Sequence, residues 1–197
     1  MGQAFKSVVT VTPRACIWAA VMLLSVPARW LVAWIFAAVC HECFHCLAVL
    51  LAGKRIHSIR IDALGAQIQT DPLQPVLSAI CALAGPFAGV CLLLLTRIAP
   101  CVSLCAIVQS AFNLLPIYPL DGSVALRGVL TLLCSDPTAN RICMYLEILA
   151  IFFLVVLCCY AAFIWKLGIL PLVFAGVFLL RMKKRKIPCK CALNRVQ

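Results

Sequence analysis

Long apolar runs, separated by short polar or proline-containing breaks, dominate the sequence. Most of these runs approach the ~20 residues that a helix needs to cross a bilayer. They predict six transmembrane helices, with a short sixth one: 8–26, 30–52, 75–96, 101–118, 142–164 and 167–180. For the first run, a signal-peptide core that ends near Ala28 is the alternative.

A different pattern follows the second apolar run. Residues 56–61 alternate apolar and polar positions, residues 66–70 do so again, and Gly65 stands between the two segments. Period-two alternation around a glycine predicts a β-hairpin over 56–70. Its open edge could capture an extended peptide by strand addition, and a solvated loop is the alternative. The predicted fold class is an all-α polytopic membrane protein with about six transmembrane helices and a small membrane-associated β-hairpin.

Composition and charge support a membrane location. The sequence is 65% hydrophobic and only 12% charged, which is not typical of a soluble domain. We therefore predict a single intramembrane domain over residues 1–197, in contact with the lipid bilayer. Much of the net charge of +11 lies in the tail 181–197, directly after an apolar run, and this position indicates a cytoplasmic anchor rather than direct nucleic-acid binding.

The cations also predict an orientation. The predicted outside turns carry only Arg29, Arg97 and Lys166, whereas the other side carries many more Lys and Arg residues, among them Lys54 and Arg55. By the positive-inside rule, both termini and the end of the second helix face the cytoplasm. The prediction is an integral, multi-pass protein whose active site opens toward the cytoplasm.

Most of the fourteen cysteines lie within apolar runs, where a free cysteine acts as a small hydrophobic residue. Two pairs stand apart. A disulfide between Cys101 and Cys105, and a second metal site at Cys189 and Cys191, are left open by the sequence.

The pentapeptide His41-Glu42-Cys43-Phe44-His45 lies inside the second apolar run. Positions i and i+4 share one face of a helix, so the two imidazoles can bind one metal ion together. Glu42 lies about 100° around the helix from His41, and from there its carboxylate can activate a water at the metal. Ionisable residues are costly within a transmembrane segment and usually functional, although the motif also occurs by chance in many helices.

The fourth run ends in an unusual segment, from Asn113 to Gly122, with Pro116 and Pro119 inside it. Two prolines three positions apart do not fit a regular helix. Irregular backbone at membrane depth is tolerated where it lies in protein or lines a cavity. Asp121 is the natural third metal ligand, and the alternative makes it the N-cap of the helix that follows.

Together these pieces resemble the site-2 protease family of intramembrane zinc metalloproteases, and most closely its sporulation proteases, which process a sigma-factor precursor. The resemblance covers nearly the whole chain. Four features carry it: the His41–His45 motif, the hairpin with Leu64-Gly65, Ala84-Gly85-Pro86, and the string from Asn113 to Gly122. The last is the most specific of the four.

The resemblance implies that His41, His45 and Asp121 bind Zn²⁺ and that Glu42 is catalytic. Asn113, with the backbone bent by Pro116 and Pro119, would hold the substrate strand. It also implies a membrane-associated substrate of the pro-sigma-factor type, inhibitory membrane partner proteins, and a location in a bacterial cell membrane or the membrane that surrounds a forespore.

Two departures accompany this resemblance. The family's Asp-Gly-Gly is Asp121-Gly122-Ser123 here, and the sporulation type usually carries a further nucleotide-sensing domain, whereas this sequence stops at Gln197. Regulation by nucleotide is therefore left open, and a homo-oligomer is compatible with the sequence. A catalytically silent zinc-binding scaffold of the same fold is the alternative function, and a metal transporter ranks last because the ionisable residues collect at one depth.

Overall fold

The computed structural model describes residues 8–62, 65–164 and 176, without the side chains of Val8, Arg14, Trp18, Ser25 and Asp62. The described part is mostly helical, with a small sheet. In chain order its elements are β1 (Val8–Val11), α1 (Pro13–Ser25), α2 (Ala28–Leu51), β2 (Ile56–Asp62), β3 (Gly65–Thr70), α3 (Pro75–Leu92) with a 3₁₀ turn (Leu93–Leu95), α4 (Pro100–Asn113), α5 (Asp121–Leu133) and α6 (Asp136–Phe163).

The chain divides after Ala139 into two compact units, and the boundary lies within α6. The first unit contains everything from β1 to α5. The described part of the second unit is the remainder of α6, an apolar helix, together with Gly176. One domain over residues 1–197 stays a prediction.

Three of the described helices are long and apolar enough to cross a membrane: α2, α3 with its 3₁₀ turn, and α6. Helices α1 and α4 are apolar but shorter. The predicted sixth span, 167–180, and the basic tail, 181–197, lie outside the described residues except for Gly176. Six spans therefore stay a prediction.

The predicted first span began at residue 8, and the structure corrects this boundary. Residues Val8–Val11 form β1, which pairs in parallel with β2, and α1 begins only at Pro13. Only Val9-Thr10-Val11 alternates within this segment, and so short a run does not predict a strand from the sequence alone. Thr12 caps α1, since its Oγ1 accepts a hydrogen bond from the N–H of Ala15 at 3.4 Å.

The predicted hairpin is present and belongs to a larger sheet. β2 and β3 pair antiparallel, β1 adds to the other side of β2, and β3 is an edge strand. The apolar side chains of Ile59 and Ile68 pack against a cluster that contains Val49 of α2 and Cys81 of α3. This contact holds the sheet against α2, which carries the His41–His45 motif, and against α3.

The open end of the hairpin is held by Asp71. Its Oδ2 accepts the backbone N–H of Arg55 at 3.0 Å, and its Oδ1 lies 2.8 Å from Nε2 of His57. The hydrogen bond from Arg55, and then the bond to His57, hold the pKa of Asp71 below its usual range. His57 is thus a surface residue with a carboxylate partner.

Small residues form the inner face of α2, and large apolar residues face outward. Ala33, Ala37 and His41 are buried, whereas Val32 is 66% exposed and Ile35 is 52% exposed. This pattern is typical of helices in a bilayer, where lipid accepts large apolar side chains and small residues permit close helix packing. It places His41 in the interior of the helix bundle.

The predicted fourth span ran to Tyr118, but α4 already ends at Asn113. Residues 114–120 form an irregular connection to α5, and within it Ile117 is only 1% exposed. Gly122 lies directly beneath this connection, because a Cβ atom there would approach the carbonyl oxygen of Leu114 to 2.0 Å. This connection, with Ile117 buried inside it, therefore brings the first turn of α5 close to the last turn of α4.

Candidate metal centre

His41 and His45 lie one turn apart on α2, and their rings are edge to face, with centroids 4.7 Å apart. Their Nε2 atoms are 3.1 Å from each other. This proximity follows directly from the i, i+4 spacing in an unbroken helix. The two lone-pair positions therefore converge on one point, as the sequence predicts.

Asp121 joins this pair from α5, although 76 residues separate it from His45. Its Oδ2 lies 3.0 Å from Nε2 of His41 and 3.2 Å from Nε2 of His45. The N-cap alternative is wrong, because Leu120 is the N-cap residue of α5 and makes no side-chain cap bond. Asp121 is instead the first helical residue, where the positive end of the helix dipole favours a carboxylate.

The three atoms fit a zinc ion. Two imidazole nitrogens and one carboxylate oxygen are a donor set that Zn²⁺ uses in catalytic sites. Tetrahedral bonds of about 2.0–2.1 Å place neighbouring ligand atoms roughly 3.3 Å apart, and the sides of this triangle measure 3.0, 3.1 and 3.2 Å. The side chains of His41, His45 and Asp121 are 5, 12 and 22% exposed, so the triangle is shielded from bulk solvent. These residues could therefore hold the ion together.

Helix α3 supports the triangle from one side. The Nδ1–H of His45 donates to the carbonyl oxygen of Cys81 at 2.7 Å, which leaves the Nε2 lone pair free for a metal. Gly85, one turn further along α3, faces both rings. A Cβ atom at this position would lie 2.2 Å from Nε2 of His45 and 2.6 Å from Nε2 of His41.

Glu42 lies beside the triangle without contributing a ligand atom to it. Its Oε1 accepts the backbone N–H of Ala66, the second residue of β3, at 3.2 Å. Gly65 also faces this oxygen, since a Cβ atom there would be 3.6 Å from Oε1. The start of β3 is therefore in contact with the carboxylate that the sequence assigns to general base catalysis.

Asn113, the last residue of α4, reaches the same cluster. Its Nδ2 lies 3.1 Å from Nε2 of His41, so its amide borders the triangle. Pro116 and Pro119 belong to the connection 114–120 that leads from Asn113 to Asp121. Their role in substrate binding stays a prediction.

Sequence reasoning did not find three contacts of this site: the carbonyl of Cys81, the close approach of Gly85, and the amide of Ala66. Two of them are backbone groups, which leave no signal in residue type. Gly85 does have a signal, because it lies among small residues beside Pro86 in an otherwise bulky run.

Replacement of Asp121 by Asn tests the third ligand. An amide oxygen is neutral and a much weaker zinc donor than a carboxylate, so we expect Asp121→Asn to lower the zinc content of the purified chain severalfold. Elemental analysis after dialysis against a chelator measures this content. Asp71→Asn, which makes the same change at the hairpin end, is the matched control and should keep its zinc. Equal zinc in both variants would show that Asp121 is not a ligand.

No protein-family model matches the sequence, and no curated protein matches it. Among solved structures, the chain is similar to the site-2 protease from Methanocaldococcus jannaschii, with a TM-score of 0.62. The sequence identity is 16%, and the alignment covers 91% of each chain. The chain therefore shares the fold of that site-2 protease over nearly its whole length.

Proposed function

We propose that this protein is a zinc-dependent intramembrane metalloprotease. The observation that carries the proposal is the convergence of His41, His45 and Asp121 from two helices, with Glu42 next to the first of them. The fold shared with a site-2 protease supports the same class of reaction.

In this proposal Nε2 of His41, Nε2 of His45 and Oδ2 of Asp121 hold the ion. When bound there, zinc would supply a water with a pKa of about 7 and polarise the scissile carbonyl. Glu42 accepts the proton of the attacking water and then donates it to the leaving amine nitrogen, so that the peptide bond is hydrolysed without an external acid. Asn113 borders His41 and would orient the substrate carbonyl.

A substrate segment must be extended, because a helix keeps its backbone carbonyls inside its own hydrogen bonds. The edge of β3 supports such a substrate, since in the described sheet this strand pairs with β2 on one side only and reaches Glu42 through Ala66. We propose a membrane-associated or single-span protein, cleaved within or near the bilayer. A sigma-factor precursor of the sporulation type is the finer proposal, and it is supported by the string from Asn113 to Gly122.

The membrane arrangement is part of the same proposal. Three long apolar helices support an integral membrane protein. Six spans, with the zinc site opening toward the cytoplasm, agree with the distribution of Lys and Arg between alternate breaks. Inhibitory membrane proteins and a second copy of this chain are further proposed partners.

One experiment separates the protease from a silent scaffold. The purified chain is analysed for zinc and then incubated with fluorescein-labelled casein in detergent and, separately, with a pro-sigma-like substrate. Zinc binding together with cleavage, sensitive to chelator, is the expected result. Zinc without cleavage of either substrate would favour the scaffold, and the absence of zinc would contradict both proposals.

A further inference from the structure

A backbone amide of β3 contacts the carboxylate of Glu42. Glu42 Oε1 accepts the N–H of Ala66 at 3.2 Å, and this donor belongs to the backbone of a strand rather than to a side chain. Twenty-four residues separate the two groups, so the contact is formed by the tertiary fold. The hairpin and the carboxylate are thereby joined directly.

The geometry of the sheet explains why this amide is available. Ala66 pairs with Ile61 across the antiparallel ladder. The carbonyl of Ile61, however, turns toward the other side of β2, where it accepts the N–H of Thr12 at 2.9 Å. Ile61 and Ala66 are therefore a non-hydrogen-bonded pair, and the backbone groups of Ala66 point to the free edge of β3. The edge strand can donate this N–H to Glu42 without losing a bond of its ladder.

Gly65 brings the strand to this position. Its φ angle is +127°, a conformation that residues with a side chain rarely adopt, and it is the first residue of β3. The site where a Cβ atom would stand at Gly65 is 3.6 Å from Oε1 of Glu42. The hairpin thus enters β3 directly over the carboxylate, and it does so through a conformation that glycine permits.

We infer that the backbone N–H of Ala66 is a positioning group for Glu42, and this inference rests on the proposed protease function. The hydrogen bond fixes one carboxylate oxygen and the orientation of the side chain, which leaves the other oxygen for proton transfer. A glutamate side chain on a helix has several rotamers, and holding one of them at the reaction centre raises the rate of the chemical step. The substrate-binding edge and the general base are then one connected unit.

Ala66→Pro tests the inference because proline has no N–H and is tolerated at the outward positions of an edge strand. Ala66→Val is the matched control, since it keeps the N–H and adds a side chain of similar size. A second variant carries an ester in place of the peptide bond between Gly65 and Ala66, introduced with an α-hydroxy acid. It removes the N–H alone and keeps the methyl side chain, so it covers the case in which the proline variant fails to fold.

The zinc-loaded full chain in detergent is assayed with fluorescein-labelled casein. We expect kcat to fall at least about tenfold in the proline and ester variants, as is typical for loss of a hydrogen bond to a charged group. KM should stay within about twofold, zinc content should be unchanged, and Ala66→Val, which keeps the N–H, should lose less kcat than Ala66→Pro. Three results would overturn the inference: an unchanged kcat in the ester variant, a rise in KM alone, or loss of zinc together with activity.

The same assay keeps this inference separate from the proposed function. A wild-type chain that cleaves casein, beside an inert Glu42→Gln variant and fully active Ala66 variants, would refute only the role of Ala66. A wild-type chain that binds zinc and cleaves nothing would refute the protease, and the role of Ala66 with it.

Discussion

Glu42→Gln should abolish cleavage and leave zinc bound. Glutamine has nearly the same shape as glutamate but cannot accept a proton from water near neutral pH, so the step that generates the nucleophile is lost. General acid–base groups contribute about 10²–10⁴-fold to the rate, and we expect a loss of at least a hundredfold in kcat. The measurement is cleavage of fluorescein-labelled casein by equal amounts of zinc-loaded wild type and variant.

Two features make this result specific. Glu42 is not one of the three converging ligand atoms, so the zinc content of the variant should equal that of the wild type. The amide oxygen of glutamine can still accept the N–H of Ala66, which preserves the contact between α2 and β3. Asp71→Asn controls for removal of a carboxylate elsewhere and should remain active. Full cleavage by Glu42→Gln would refute its assigned role.

Gly85→Ala should remove the metal site by steric exclusion alone. The added Cβ would lie 2.2 Å from Nε2 of His45 and 2.6 Å from Nε2 of His41, far inside van der Waals contact with the two atoms that would bind zinc. Both rings belong to one helix turn and His45 is also tied to Cys81, so neither can move away freely. We expect zinc binding to weaken by at least about a hundredfold, because misplaced ligands no longer converge.

Competition with a zinc-selective dye measures this affinity on the purified chain. Leu83→Ala, two residues earlier on α3 at a side chain that is 43% exposed, serves as the control and should keep both zinc and activity. Retention of tight zinc binding by Gly85→Ala would contradict so close an approach of α3 to the two imidazoles.

The hairpin contacts two of the helices that line the metal site. It packs on α2 and α3 through Ile59 and Ile68, presents an open strand edge, and reaches Glu42 through the amide of Ala66. In the proposed protease, one small sheet would both receive an extended substrate and orient Glu42. This arrangement suits the proposed function, since a transmembrane segment must unfold locally before its backbone can be cleaved.

The local features of this protein were readable from its sequence. The pairing of His41 and His45 depends only on the geometry of one helix, and the hairpin at 56–70 depends on alternation around Gly65. Asp121 was predicted as a ligand because a carboxylate beside two prolines in an apolar region needs a polar partner. Each of these inferences uses the chemistry of a short segment.

Only the tertiary structure decided which surfaces meet. Helix α2 is apolar on nearly all sides, so hydrophobic periodicity could not show that Ala33, Ala37 and His41 face inward. Three contacts join distant segments: β1 pairs with β2, Gly85 approaches the two imidazoles, and the amide of Ala66 donates to Glu42. They depend on close packing of small residues and on backbone groups, and a backbone N–H is the same in every residue except proline. The sequence therefore specifies the reactive groups, whereas the fold decides how near they come to one another.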